Sequence, residues 1–179
     1  MRKSLEESWR HLESEGETMP RHPDGAPFVQ ARMPNHDDEE LGLSYYKYRL
    51  RDADNSNLTL PRTFFGRSAF ERVSFANTDL SQSRMCWNDF TGCDFSGANL
   101  SGCDMRATRF KACKFVGTIL RGADLRQSSF KKCDFTGADM TGAVAEDEDA
   151  IGCVQDFLSD EQQATMTWSP DSGPEAPGG

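Results

Sequence analysis

Residues 86–140 read CWNDF TGCDF SGANL SGCDM RATRF KACKF VGTIL RGADL RQSSF KKCDF TGADM when cut every five residues. Each block ends on a large apolar side chain. The beat starts earlier, at Leu60, and runs without a miss through Phe65, Phe70, Phe75, Leu80, Met85 and on to Met140. Two positions before most of these sits a small residue, such as Ser83, Cys93, Ala98, Cys103, Thr108, Cys113, Thr118, Ala123 or Cys133. A helix repeats near 3.6 residues and a strand at 2, so neither holds a five-residue register. A chain that turns a corner every five residues does, and the repeat decides the fold.

Sorting the beat at intervals of twenty shows how many corners close one turn. Leu60, Leu80, Leu100, Leu120 and Met140 form one column. Phe75, Phe95, Phe115 and Phe135 form a second, and Phe70, Phe90, Phe110 and Phe130 a third. Phe65, Met85, Met105 and Leu125 make a mixed fourth. Four sides of five residues therefore complete a coil. Residues i and i+20 stack about 4.8 Å apart if the coils pair like strands. Like shapes stacked on like tile a column without voids.

Blocks such as SGANL (96–100), RGADL (121–125), TGADM (136–140), TGCDF (91–95) and KKCDF (131–135) resemble the pentapeptide-repeat proteins, whose signature is A-(D/N)-L-x-x. The resemblance implies an all-β solenoid, a right-handed quadrilateral β-helix, with the central Leu/Phe and the small residue before it inside. It covers residues 58–145, which predicts about four to five coils. Asn88 at a small inward position, and the basic blocks RATRF and KACKF, depart from the family pattern.

The flanks divide the rest of the chain. Residues 1–17 predict a short helix, with Ser4 and Glu7 at capping-box spacing and Leu5, Trp9 and Leu12 on one face. Trp9 either packs on the solenoid as a cap or presents a partner-binding helix. Residues 18–43, with Pro20, Pro23, Pro27 and Pro34, read as an irregular linker. Residues 44–57 read as a lead-in that covers the first coil, whose open edge would otherwise invite pairing. Residues 146–179 form an acidic capping segment, with a short helix opened by Ser159, and a Pro/Gly-rich tail. The run Glu146-Asp147-Glu148-Asp149 fits a charged guard of the last edge, or a binding motif.

Charge separates these regions. The net charge is −9. Residues 1–60 contribute −4 and residues 146–179 contribute −9, whereas residues 61–145 carry +4. The absence of an 18-residue apolar run predicts no membrane span, and MRKSLEESWRHLESEGE lacks the apolar core of a secretory signal. Four of the six cysteines fall on inward positions, which fits buried thiols in a reducing cytoplasm. Stacked cysteines would lie within disulfide range by Cα spacing, yet their parallel Cβ vectors aim poorly for a bond. No Cys/His metal spacing appears, and no cofactor is expected.

Two corners of each coil read as glycine-rich, at Gly97, Gly117, Gly137, Gly102, Gly122 and Gly142. The other two carry Arg67, Trp87, Arg106 and Arg126, then Arg72, Lys111, Lys131 and Lys132, and they bracket a wall that also shows Arg109. These nine residues are the candidate partner-binding site, since Trp and Arg are enriched at interface hot spots. The plainer reading is that long basic side chains keep the solenoid soluble. The histidines, His11, His22 and His36, sit in the flank away from the repeat, so no catalytic site is expected.

The preferred function is thus a non-catalytic protein-binding module, such as a bacterial immunity or adaptor protein for a toxin or secretion-system partner. The alternative is a DNA mimic that binds gyrase, as some pentapeptide-repeat proteins do. A rod about 20–24 Å long at strand spacing, carrying positive charge, argues against mimicry. Direct nucleic-acid binding is disfavoured by overall charge, and an end-to-end homodimer is compatible with either reading.

Overall fold

The computed structural model describes residues 1–14, 44–146 and 154–169. The predicted linker, most of the acidic run and the end of the tail lie outside the described residues, as do the surroundings of the Trp9 side chain.

Every fifth residue from Lys47 to Gly142 has a positive φ, between 52° and 67°. This left-handed step bends the chain, and twenty consecutive corners make five complete four-sided coils. Seven corners use glycine and thirteen do not. Each non-glycine corner carries about 1–2 kcal/mol of backbone strain, which the surrounding ladder must outweigh. Gly97 shows why glycine helps: a Cβ there would collide with the Asn77 Oδ1 one coil below, while Gly117 faces open space.

Between corners lie short parallel strands. β1 (Ser44–Tyr46) pairs with β3 (Phe64–Gly66), while β2 (Arg49–Arg51), β4 (Ala69–Glu71), β5 (Asp89–Thr91), β6 (Arg109–Lys111) and β7 (Ser129–Lys131) stack in one five-stranded sheet. The register is twenty throughout, Leu50 to Phe70 to Phe90 to Phe110 to Phe130. Single parallel bridges at the same interval hold the other walls, for example Asp79 to Asn99 to Ile119 to Asp139. The fold is the right-handed quadrilateral β-helix implied by the repeat.

The predicted columns fill the interior. Phe75, Phe95, Phe115 and Phe135 stack at ring centroid distances of 4.6–5.2 Å with planes within 10°. Phe70, Phe90, Phe110 and Phe130 stack at 4.8–5.3 Å with planes within 11°, and the two columns meet edge to face. Offset stacks within a column and T-shaped pairs between columns are both favourable aromatic geometries.

The small inward residues have a second use. Thr78 and Thr118 donate from their hydroxyls to the carbonyls of Asn55 and Phe95, each 23 residues earlier, at 2.6 and 2.7 Å. Ser128 and Cys103 repeat this geometry to Met105 and Leu80. A short donor fits because it reaches the carbonyl of the preceding coil, so a buried polar atom finds its partner. Asn88 does it with an amide: Nδ2 donates to the Phe65 carbonyl at 3.0 Å and Oδ1 accepts from the Ser68 backbone at 3.0 Å. The departure from the family pattern is thereby satisfied.

The coil number exceeds the expected four to five, and is about six. Residues 44–57 build the first coil rather than leading into it, with the backbone of Tyr45 in register with Phe65 and that of Leu50 with Phe70. At the other end β8 (Val144–Glu146) pairs in parallel with β9 (Thr167–Ser169), which brings the chain back over the solenoid after a longer excursion. Both turns were hard to see because Asn55 stands where an apolar residue was expected, and the last coil departs from the twenty-residue count.

Helices close both ends. α1 (Leu5–Ser14) starts with the predicted box: Ser4 N–H donates to Glu7 Oε2 at 2.7 Å and Glu7 N–H to Ser4 Oγ at 3.2 Å. Its buried Leu12 joins the core, and Ser8 Oγ accepts from the Thr59 backbone at 2.7 Å. α1 therefore covers the edge that residues 44–57 were expected to cover. At the C-terminal end Ser159 caps α2 (Asp160–Ala164) with a full capping box. Gln162 Nε2 then donates to the Phe135 and Ala138 carbonyls at 2.8 and 3.0 Å, fastening the cap to the last coil.

Candidate functional site

The nine predicted residues lie on or beside the wall formed by β2, β4, β5, β6 and β7. Arg67 and Trp87 occupy left-handed corners on one edge, and Arg106 and Arg126 immediately precede the matching corners at Ala107 and Gln127. Arg72 and Lys132 occupy corners on the other edge. Arg109, Lys111 and Lys131 project from β6 and β7, where the register sets Lys111 directly beside Lys131. Alternation along a strand explains this, since Phe110 and Phe130 point inward and their neighbours must point out.

Charge is more evenly spread than the sequence implied. Arg72 forks onto Asp52 at 2.6 and 2.9 Å and also meets Glu71. Arg106 forks onto Asp104 at 2.8 Å with both nitrogens, and Arg126 onto Asp124 at 2.9 and 2.6 Å. Arg109 pairs with Asp89 across one coil. Bidentate pairs of this kind fix the guanidinium plane. The Arg106 guanidinium in turn holds the Asp104 carboxyl down to about 2, and Asp52 is lowered by Arg72.

On this wall, positive charge without an ion-pair partner among the described residues is left at Arg49, Arg67, Lys111, Lys131 and Lys132. Three of these are lysines clustered toward the C-terminal end of the wall. Arg49 and Arg51 were missed because they belong to the first coil. Their signal was the offset of twenty that places Arg49 beside Ala69 and Arg51 beside Glu71.

Among the described residues Trp87 is the most exposed aromatic, with 68% of its surface accessible. It also carries a left-handed backbone, at φ 61°. The same corner one coil on is Ala107, whose small side chain leaves the ground beside the indole open. The result is a groove of about 290 Å³ bounded by Trp87, Arg106, Ala107, Arg126, Gln127 and Glu146. Cys86 borders it, but burial and the neighbouring Asp104 push its thiol up to about 12, far from a nucleophile at neutral pH. Among the described residues no three His, Cys, Asp or Glu side chains are grouped to hold a metal, and no helix is long and apolar enough to cross a membrane.

A four-sided tube with a five-residue beat and a hydroxyl or thiol bonded back 23 residues defines a quadrilateral β-solenoid with flat walls. Residues 85–148 match the family model described as the pentapeptide repeat region. Over that stretch the chain carries the pentapeptide repeat, and it is similar there to pentapeptide-repeat proteins. Among solved structures, it is similar to HetL, a pentapeptide repeat protein involved in heterocyst differentiation regulation in the cyanobacterium Nostoc sp. strain PCC 7120. That match has 16% identity and a TM-score of 0.55, and covers 57% of this chain and 49% of HetL. The chain thus spans about half the length of HetL, and the likeness shows the fold alone.

A pentapeptide repeat protein of the Arabidopsis thaliana thylakoid lumen matches at 26% identity and TM-score 0.34, over 65% of this chain and 72% of that one. QnrB1, a plasmid-mediated fluoroquinolone resistance protein, matches at 23% identity and TM-score 0.39, over 57% of this chain and 53% of its own. At those scores neither bears on function. No curated protein matches the sequence.

Proposed function

We propose that the chain is a non-catalytic protein-interaction module that docks an acidic-faced protein on the wall edged by Trp87. The observation that carries this reading is Trp87 itself. A large aromatic side chain is held two-thirds exposed beside an open groove. Trp is among the residue types most enriched at interface anchors. Lys111, Lys131 and Lys132 on the same wall supply complementary charge that steers an acidic partner. Such a rigid, short scaffold suits a bacterial immunity or adaptor protein of the cytoplasm that occupies a toxin or secretion-system component.

The DNA-mimic reading, with gyrase as partner, is the less favoured one. Mimicry needs an unbroken acidic stripe, whereas Asp52, Asp89, Asp104, Asp124 and Asp139 are each neutralised by an arginine.

The test is affinity capture from the native cell with the full chain, followed by mass spectrometry of what is retained. A protein partner should be held by the wild type and lost with Trp87→Ala combined with Lys111→Glu and Lys131→Glu. Undiminished capture by that variant would remove the wall from the account. Stoichiometric inhibition of supercoiling by purified gyrase would instead favour the mimic.

A further inference from the structure

Corner residues form columns of their own. Along the corner that carries Trp87 the column runs Lys47, Arg67, Trp87, Ala107 and Gln127, one residue per coil, all with positive φ. Ala107 is the one short side chain in it, so the place one coil on from the indole is open. Trp87 N–H donates to the Arg106 carbonyl at 3.3 Å and Ala107 N–H to the Arg126 carbonyl at 3.2 Å, which holds these corners at coil spacing. The groove of about 290 Å³ is thus a missing step in a ladder, floored by Ala107. Inside the tube the same spacing stacks phenyl rings at 4.6–5.3 Å.

The groove is flanked by Arg106 and Arg126, whose guanidinium planes are fixed by their forks onto Asp104 and Asp124. Their charge is answered there, yet a guanidinium held in plane keeps a flat face for stacking. Free charge stands on one side only. Arg67, one coil before Trp87, and Arg84, three residues before it, are exposed and have no ion-pair partner among the described residues. The register partner of Arg84 is Asp104, both of whose oxygens are taken by Arg106. Glu146 closes the far side of the groove with the opposite sign.

We propose that this groove takes one aromatic side chain of a protein partner, set in an acidic segment, with Ala107 as the residue that decides whether it fits. The proposal rests on the reading that an acidic-faced protein docks here, and it names the group inserted. The ring lies over Ala107 beside the indole and completes the column at the spacing of the inner stacks. Contacts of that kind favour an aromatic side chain over an aliphatic one. Carboxylates next to the ring meet Arg67 and Arg84, and Glu146 repels them from the other side, so the acidic stretch runs toward the first coil. A longer residue at 107 takes the place of the ring. Gln82 and Gln127 show that such a corner holds glutamine with the same left-handed backbone.

The isotope-labelled full chain is titrated with the capped peptide Glu-Glu-Tyr-Glu-Glu, and the Trp87 indole and Ala107 amide signals are followed by NMR. Both should shift saturably, and Glu-Glu-Ala-Glu-Glu should bind at least ~10-fold more weakly, as expected for the loss of one buried aromatic contact. Ala107→Gln, and independently Trp87→Ala, should erase the preference for tyrosine. Arg67→Gln with Arg84→Gln should instead weaken both peptides alike and reduce the effect of salt. Equal affinity for the tyrosine and alanine peptides, or a tyrosine preference that survives Ala107→Gln, would overturn the proposal. If the peptides then still shift Lys111, Lys131 and Lys132, the wall binds acidic partners without the groove. If no acidic peptide shifts any residue of the wall, both readings fall.

Discussion

Replacing Phe95 with alanine tests the inward assignment on which the surface map depends. Phe95 is fully buried in the middle of its column. Its ring stacks on Phe75 and on Phe115, both at 5.2 Å, and meets the edge of Phe90 at 5.4 Å. Burying a side chain of this size removes about 150 Å² from water, worth about 4 kcal/mol at ~25 cal/mol per Å². The cavity left behind has little means to collapse. The backbones above and below are fixed by Phe75 N–H to Asp94 at 2.7 Å and Phe95 N–H to Lys114 at 2.8 Å, which set the spacing between rings. The loss therefore falls toward the upper end of the ~3–5 kcal/mol seen for such truncations. Thr91, exposed at the end of β5, is the control, and Thr91→Ala should cost under ~0.5 kcal/mol. In urea unfolding followed by circular dichroism, the midpoint of Phe95→Ala should fall by about 2 M for a slope near 2 kcal/mol per M. Equal midpoints for the two variants would refute the reasoning.

The remaining predictions bear on polar atoms, corners and pH. Asn88→Ala strips partners from the Ser68 N–H and the Phe65 carbonyl and should cost about 2–6 kcal/mol in the same assay, at about 1–3 kcal/mol for each orphaned group. Gly117→Ala meets no neighbouring atom but must hold φ +62°, so its loss should be about 1–2 kcal/mol, from the backbone alone. For Asp104, Arg106 lowers the folded carboxyl to about 2, so the stabilisation is complete above its ordinary value and is lost as pH falls toward 2. Its size should be about 1 kcal/mol at most, because Arg106 is half exposed, and Arg106→Ala should return the Asp104 titration, read by NMR, toward the usual carboxylate range.

How much of this was legible in the sequence depends on which residues repeat. Phe90, Phe110 and Phe130 recur because a void or a bulge in a stacked column is penalised at every coil, so packing writes itself into the sequence as a period. The left-handed corners were legible only where glycine marks them. At Arg67, Arg72 and Lys132 the same backbone is imposed by neighbours, and the side chain gives no sign of it. The first coil was hidden by Asn55, a buried polar residue on an apolar beat. The cap was legible in part: Ser159 announces α2, but nothing local announces that Trp168 returns to lie beside Ala145.

The wall is where sequence reasoning overstated its case, and the reason is geometric. Counting Arg106 and Arg126 as free charge ignores that Asp104 and Asp124 stand two residues earlier. Across the boundary between two blocks, both side chains of such a pair face outward at one corner, close enough to fork together. Each arginine thus finds its counter-ion at the end of the preceding block. The residues two before Lys111 and Lys131 are Arg109 and Ser129, neither a carboxylate, which is why both lysines stay uncompensated. Arg109 shows the second route, pairing with Asp89 across one coil at the same register position. On this wall two offsets recur, two residues along the chain and twenty between coils. Lys111 and Lys131 have a carboxylate at neither and remain available to a partner. A Ser129→Asp change, which sets a carboxylate two residues before Lys131, should therefore weaken capture of an acidic partner, while Arg106→Gln should hardly alter it.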